Sequence, residues 1–195
     1  SINLAVQFTR MGKKVIILDA DFGLANIEVM FGVIPKYNLS DLMFAGKELS
    51  EIITEGPEGK RFISGGYVIA KLFNLDKEQV RRLVNKLSEL EGMADVIIID
   101  TGAGISPAVM EFLVASPETI LVTTPEPTSI TDSYALLKAL SMNENFKKDE
   151  TTIKMIANRV DSEAEGRSLY EKLNVVVMKF LEINMQYLGA VPQDN

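Results

Sequence analysis

The 195-residue sequence predicts an α/β fold in which a mostly parallel β-sheet is covered by helices on both faces. Short, continuous apolar runs recur along the chain, as expected of strands that are buried on both faces. Segments with apolar residues at helical spacing separate these runs, so strands and helices alternate in right-handed crossovers. Ligands of such a sheet bind outside the carboxyl ends of its strands.

The first half of the chain begins with a helix. Its opening residues carry apolar side chains at helical spacing, and Gly12 is expected to end the helix. A later segment has five apolar residues on one stripe, and Gly92 follows it as a stop signal. In order, we expect a helix up to Gly12, a strand over 15–18, a helix over about 24–31, a weaker strand ending at Ile63, a helix over about 76–90 and a strand over 96–99.

The second half continues the alternation. Ser106 is a helix cap, and Pro107 takes the first helical position after it. The polar stretch 141–150 is expected to be a loop. In order, we expect a helix from Ser106–Pro107, a strand over 120–122, a helix over about 131–140, a strand over 153–157, a helix over about 163–182 and a last short strand over 187–191.

Composition limits the chemistry. With 47% hydrophobic residues and no interdomain linker, residues 1–195 are expected to form a single domain. Cysteine and histidine are both absent, which excludes thiolate metal sites and histidine general bases. The net charge of −7 disfavours binding to DNA or anionic lipid. No apolar run approaches the ~20 residues of a membrane span, so the cytoplasm is the expected compartment.

Polar residues that terminate the apolar runs are the candidate functional residues. Asp100 ends the run 96–99 and is followed by small residues. This is how a Walker B carboxylate is presented, at the rim of a sheet where it can orient a magnesium-bound water. The alternative is that Asp100 merely caps the turn that follows it.

Asp19 and Asp21 follow the first strand and are separated by two positions. On a continuing strand both carboxylates would face the same way. The alternative is that one of them caps the helix around 24–31, so that only the other acts in chemistry. We favour that division, with Asp21 as the residue that positions water.

These motifs together resemble the MinD/ParA family of deviant-Walker ATPases over essentially the whole chain. The matching segments are SINLA, LDADFGLANIEVMFG, IIIDTGAGIS, TTPEPTSITDSYALLK, NRV and LGAVPQD. Within the family, the amino-acid sequences of several segments are most similar to the flagellar-number regulator branch (FlhG, also called FleN or YlxH). The resemblance implies a P-loop NTPase fold of the SIMIBI, MinD-like type.

The resemblance also implies an ATPase that binds ATP or ADP with Mg²⁺ and dimerises face to face around two nucleotides. Asp21 matches the residue that positions the attacking water, and Asp100 matches the residue that reaches the metal through water. Asp19 would support both carboxylates. The segment from Gly102 to Ser106 would sense the γ-phosphate, because Gly102 and Gly104 let backbone amides approach it.

The resemblance assigns the adenine base to two other strand ends. Asn158 and Arg159 follow the strand 153–157, and a turn residue is the alternative role for Asn158. Glu126 and Asp132 match positions near the dimer interface, where Glu126 is the candidate for a nucleotide contact, and a solvated carboxylate at a helix start is the alternative role for each. The second adenine segment follows the last strand and comprises Val191, Pro192, Gln193 and Asp194.

The domain is expected to be incomplete at both ends. The family's phosphate-binding loop, KGGxGK followed by Ser or Thr, is expected upstream of Ser1, together with the strand that leads into it. The closing helices and a membrane-targeting amphipathic helix of many relatives are expected beyond Asn195. Through that helix the protein could associate with the inner face of the cell membrane.

We therefore expect an ATP-dependent spatial switch that regulates flagellar number or placement and forms an ATP-dependent homodimer. An FlhF-type GTPase and flagellar switch proteins are the expected partners. The alternatives are cell-division site selection with Min-system partners and DNA partitioning of the ParA type, which the acidic charge disfavours. If Ser1 is the natural start, a non-catalytic scaffold becomes the better interpretation.

Overall fold

The computed structural model describes residues 1–22, 26–66 and 75–194. The chain forms two compact units, Ser1–Phe112 and Leu113–Asn195. Strands alternate with helices along most of the described residues, and most strand pairs are parallel, which confirms the predicted fold class. No helix within the described ranges is long and apolar enough to cross a membrane.

The first unit contains a four-stranded sheet in the order β2-β3-β1-β4. β1 pairs in parallel with both β3 and β4, whereas β2 runs antiparallel to β3. The elements are α1 (Ile2–Arg10), β1 (Val15–Ala20), α2 (Ile27–Phe31), α3 (Leu39–Phe44), α4 (Leu49–Ile52), β2 (Thr54–Glu55), β3 (Arg61–Ile63), α5 (Lys77–Leu87), β4 (Val96–Thr101) and α6 (Pro107–Ala115), the last of which crosses the boundary at Phe112.

β1 is buried along its whole length, as the apolar run predicted. Alternate residues point to opposite faces of a strand. Ile16, Leu18 and Ala20 accordingly join one hydrophobic cluster, whereas Val15 and Ile17 join another. The helices cover both faces of this strand, and its burial holds its carboxyl end in place.

Several bounds in this unit differ from the predictions. β1 and β4 each continue two residues past the apolar run, because Asp19 pairs with Asp100 and Ala20 with Thr101 in the same ladder. The helix predicted over 76–90 ends at Leu87 and is followed by a 3₁₀ turn over Ser88–Gly92. The helix predicted over 24–31 is described from Ile27, and positions 24 and 25 lie outside the described residues.

The second unit contains a three-stranded parallel sheet in the order β5-β6-β7. Its elements are β5 (Glu118–Thr123), α7 (Pro127–Ser141), β6 (Thr152–Val160), α8 (Glu163–Leu181) and β7 (Met185–Pro192). α7 begins four residues before its predicted start, because Pro127 takes the first helical position. β6 extends past its predicted end at Ala157 and includes Asn158 and Arg159.

Candidate functional site

The carboxyl ends of β1 and β4 bring Asp19 and Asp100 side by side, because these two residues are partners in the parallel ladder. Asp19 is only 2% exposed. Its carboxylate accepts hydrogen bonds from the backbone amides of Asn26 at 2.9 Å and Ile27 at 3.1 Å, at the start of α2. Asp19 therefore caps this short helix, which is one of the two predicted roles for this pair of carboxylates. The role of Asp21 in positioning water stays a prediction.

Burial raises the pKa of the Asp19 carboxyl above its usual range, because the buried charged form loses its hydration. The backbone amides of Ile27, Asn26 and Asp21 oppose this shift, and the charge of Asp100 adds to it. Two carboxylates at one strand edge therefore raise the local negative charge. A bound cation would relieve that repulsion.

Asp21 follows β1 and lies against the backbone of Gly102. A Cβ atom at position 102 would come within 3.0 Å of Asp21 Oδ1 and 3.2 Å of its Cγ. Gly102 follows β4, so two residues that the sequence singled out separately are in contact here. A side chain at position 102 would displace the carboxylate of Asp21.

Asp100 accepts a hydrogen bond from the Ser1 hydroxyl, with 2.6 Å between Ser1 Oγ and Asp100 Oδ1. Ser1 is the N-cap residue of α1. Ser1 was not among the candidate residues, since a single hydroxyl before a helix is an ordinary capping signal. The structure thus joins the start of α1 to the carboxyl end of β4.

The segment after β4 turns at Gly104, whose φ of 95° lies in the region that favours glycine. Ser106 closes the segment, because its hydroxyl accepts a hydrogen bond from the Val109 amide at 3.3 Å in the first turn of α6. Ile105 between them is 56% exposed. The loop therefore presents backbone to solvent at the same edge as Asp21 and Asp100.

The acidic groups at this edge suit magnesium. Among the described residues, no group of three or more acidic side chains could hold a metal ion by itself. Mg²⁺ usually keeps several waters and takes one or two protein carboxylates together with substrate phosphates. Asp21 and Asp100, both at the ends of paired strands, fit that mode of binding.

A second group of candidate residues lies at the carboxyl edge of the sheet in the second unit. Asn158 pairs with Val191 and Val160 pairs with Pro192, and the register is irregular between Asn158 and Val160. Arg159 lies at this irregularity with a positive φ of 57°. The structure therefore brings the two predicted adenine segments together, and Pro192, Gln193 and Asp194 are exposed at their end.

Glu126 precedes α7 and is exposed. A hydrogen bond with the Thr124 side chain is the main cause that lowers the pKa of Glu126, followed by its own backbone amide and the positive charge of Arg159. Asp132 lies one turn into α7 and is also exposed. The suggested interface roles of both acidic residues stay predictions.

A cleft of about 390 Å³ lies beside α2 in the first unit, and the sequence did not indicate it. Glu28 is buried there and accepts a hydrogen bond from the Ser64 hydroxyl, whose oxygen in turn accepts from the Gly66 amide at 3.0 Å. A Cβ atom at Gly65 would lie 2.7 Å from the Asp19 carbonyl oxygen. Gly65 and Gly66 soon after β3 could have indicated this cleft, because ligands of a parallel sheet bind outside the carboxyl ends of its strands.

Comparisons with known proteins identify the family of this chain. The AAA_31 family model, described as an AAA domain, matches residues 1–154. The chain is 38% identical over 194 residues to the antiactivator FleN of Pseudomonas aeruginosa, covering 100% of this chain and 68% of that protein. It is 39% identical over 194 residues to the flagellum site-determining protein YlxH of Helicobacter pylori, covering 98% of this chain and 63% of that protein.

Solved structures support the fold. The septum site-determining protein MinD of Pyrococcus horikoshii, complexed with Mg-ADP, superposes with a TM-score of 0.76 at 24% identity. The match covers 98% of this chain and 74% of that one. The cell division ATPase MinD of Pyrococcus furiosus superposes with a TM-score of 0.73 at 25% identity, covering 98% of this chain and 76% of that one.

Proposed function

Since this chain belongs to the MinD/ParA family of P-loop ATPases, in its FleN/YlxH branch, we propose that the protein hydrolyses ATP and regulates flagellar number or placement. The chain spans less than two thirds of the H. pylori YlxH protein, so the proposal concerns the full-length protein. We also propose that the two compact units belong to a single ATPase domain over residues 1–195.

The observation that carries the catalytic proposal is the contact between Asp21 and Gly102 at the ends of β1 and β4. Asp21 would orient the attacking water, and Asp100 would help to hold Mg²⁺ at the end of β4. Bound Mg²⁺ supplies positive charge that stabilises the phosphates as negative charge develops on them. Asp19 supports both carboxylates by capping α2, which keeps the end of β1 in one conformation.

Gly102 and Gly104 give the segment after β4 a backbone that can approach the γ-phosphate closely. The positive φ of Gly104 supports this role, because a side chain would strain the turn. Loss of the γ-phosphate on hydrolysis would remove a binding partner of this segment. The nucleotide state would thereby be transmitted to the surface of the first unit.

The base of ATP or ADP is assigned to the edge of the second unit. Asn158 offers an amide side chain to the base, and Arg159 lies beside it. The segment that continues from the end of β7 supplies backbone groups and a short exposed run. This segment comprises Val191, Pro192, Gln193 and Asp194.

We propose that ATP promotes a homodimer, with Glu126 and Asp132 near its interface, in a cytoplasmic protein. The name of the flagellum site-determining relative, which is 39% identical, favours flagellar partners, and an FlhF-type GTPase or switch proteins are the partners that we propose. Septum site-determining MinD proteins of B. subtilis and H. pylori are 26% and 29% identical, so Min-system partners are the second candidate. Association with the inner face of the cell membrane is part of the same proposal, and DNA is disfavoured by the charge of −7.

ATP turnover by the purified full-length protein tests the catalytic proposal. We expect release of inorganic phosphate from ATP in the presence of Mg²⁺, and its loss when EDTA removes the metal, because the charge on the phosphates would then be unshielded. GTP serves as the control nucleotide and is expected to be a poorer substrate. A folded protein that binds ADP but releases no phosphate from ATP would contradict catalysis and favour a scaffold.

A further inference from the structure

Arg159 has a left-handed backbone conformation inside a β-strand. Among the described residues, three residues other than glycine have positive φ, namely Glu58, Arg159 and Glu182. Glu58 belongs to a 3₁₀ turn, and Glu182 is the left-handed cap at the end of α8. Arg159 instead lies inside β6, where an extended conformation is the rule. Strain of this kind concentrates at functional sites.

The strain has a local cause in the strand pairing. From Asn158 to Val160 the chain advances two residues, whereas the partner strand advances one residue, from Val191 to Pro192. Arg159 is therefore the extra residue of a β-bulge. Bulges bend a strand and re-aim neighbouring side chains, and they recur beside active sites. The bulge here immediately follows Asn158.

The side chain of Arg159 connects the ends of neighbouring strands. Its Nε donates a hydrogen bond to Gln193 Oε1 at 3.3 Å, just beyond β7. The backbone N–H of Gln193 donates a hydrogen bond to the backbone carbonyl of Val160 at 3.0 Å. This second bond completes the link between β6 and the segment after β7. The positive charge of Arg159 also contributes to lowering the pKa of Glu126, which follows β5 by three residues. One guanidinium thus interacts with groups beyond both neighbouring strands.

We propose that Arg159 is a positioning residue for the nucleotide base. Its backbone bulge sets the direction of Asn158, and its guanidinium holds the segment around Gln193 at a fixed distance from β6. The base would then bind between two segments whose spacing is established before the nucleotide arrives. This inference rests on the proposed function, because the ligand of this edge is the adenine nucleotide assigned there.

Two substitutions remove the link from opposite sides. Arg159→Gly keeps a residue that adopts positive φ freely but removes the guanidinium. Gln193→Ala removes the acceptor in an exposed segment where folding is little affected. Arg159→Lys keeps the positive charge but lacks the Nε donor. Glu182→Gly is the matched control, because it replaces another left-handed residue, φ 56°, at the end of α8.

The readouts are the Kd for ADP and the separate kcat and KM for ATP of each full-length variant. We expect Arg159→Gly and Gln193→Ala each to raise Kd and KM by about tenfold, within the range found for partners in one hydrogen-bond network. We expect kcat to change by less than about threefold, because the reacting phosphate is handled by other residues. Arg159→Lys should be intermediate, and Glu182→Gly should bind ADP like the wild type.

The double variant Arg159→Gly with Gln193→Ala decides the outcome. If the two residues act through one link, the Kd of the double variant for ADP should be no higher than that of the single variant with the lower ADP affinity. Two results would overturn the positioning role while leaving the proposed function intact. One is a loss of ADP affinity in the double variant that equals the product of the two single losses, and the other is unchanged ADP binding by Arg159→Gly. Absence of ADP binding by the wild type would overturn the proposed function itself, and this inference with it.

Discussion

Replacing Asp21 by asparagine is expected to lower the ATP turnover of the full-length protein by about 10²- to 10⁴-fold, the range found when a group that acts on the attacking proton is removed. Asparagine has nearly the same shape, so the packing against Gly102 is kept. It lacks the charge that holds and polarises water. The measurement is the rate of phosphate release at saturating Mg-ATP.

Asp149→Asn is the matched control for this substitution, because Asp149 is an exposed carboxylate in the loop before β6. Its turnover should equal that of the wild type. The affinity of Asp21→Asn for ADP should stay within a few-fold of the wild type, since the expected defect is in the chemical step. Equal turnover by wild type and Asp21→Asn would remove Asp21 from the mechanism.

The second large effect is expected from Gly102→Ala. The added methyl group would come within 3.0 Å of Asp21 Oδ1, which is closer than carbon and oxygen atoms normally approach. Either the carboxylate or the segment after β4 must shift. The required shift is a few tenths of an ångström. Since a displacement of about 1 Å at a reacting centre can cost about 10²-fold in rate, we expect this smaller shift to lower kcat by about tenfold.

Gly92→Ala provides the comparison for this variant. A Cβ atom at Gly92 would have no neighbouring atom within 4 Å, so the same chemical change meets open space there. This control should keep wild-type turnover and thermal stability. If Gly102→Ala hydrolyses ATP at the wild-type rate, the close approach between Gly102 and Asp21 has no part in catalysis.

The sequence predicted the strands well, because a strand buried on both faces needs a continuous apolar run. β1 shows this, since Ile16 and Ile17 enter different hydrophobic clusters. The sequence did not predict α3, α4 or β2. These elements span six, four and two residues, too few to display a period, and they depend on contacts with the rest of the first unit.

The candidate site was predictable to the extent that it follows from strand ends. Asp19 and Asp100 were selected separately, and their pairing in one ladder follows from the parallel sheet. The capping role of Asp19 was one of two alternatives, which the local hydrogen bonds decide. The bulge at Arg159 was not predictable, because it depends on the register between β6 and β7, which no local pattern encodes.

Control of association by nucleotide is most directly tested by the mass of the full-length protein in solution. Asp21→Asn is the suitable form, because slow hydrolysis would preserve bound ATP during sedimentation or light scattering. We expect the mass of two copies with Mg-ATP and of one copy with Mg-ADP. The same mass in both nucleotide states, from a protein shown to bind both, would contradict the proposed ATP-dependent switch.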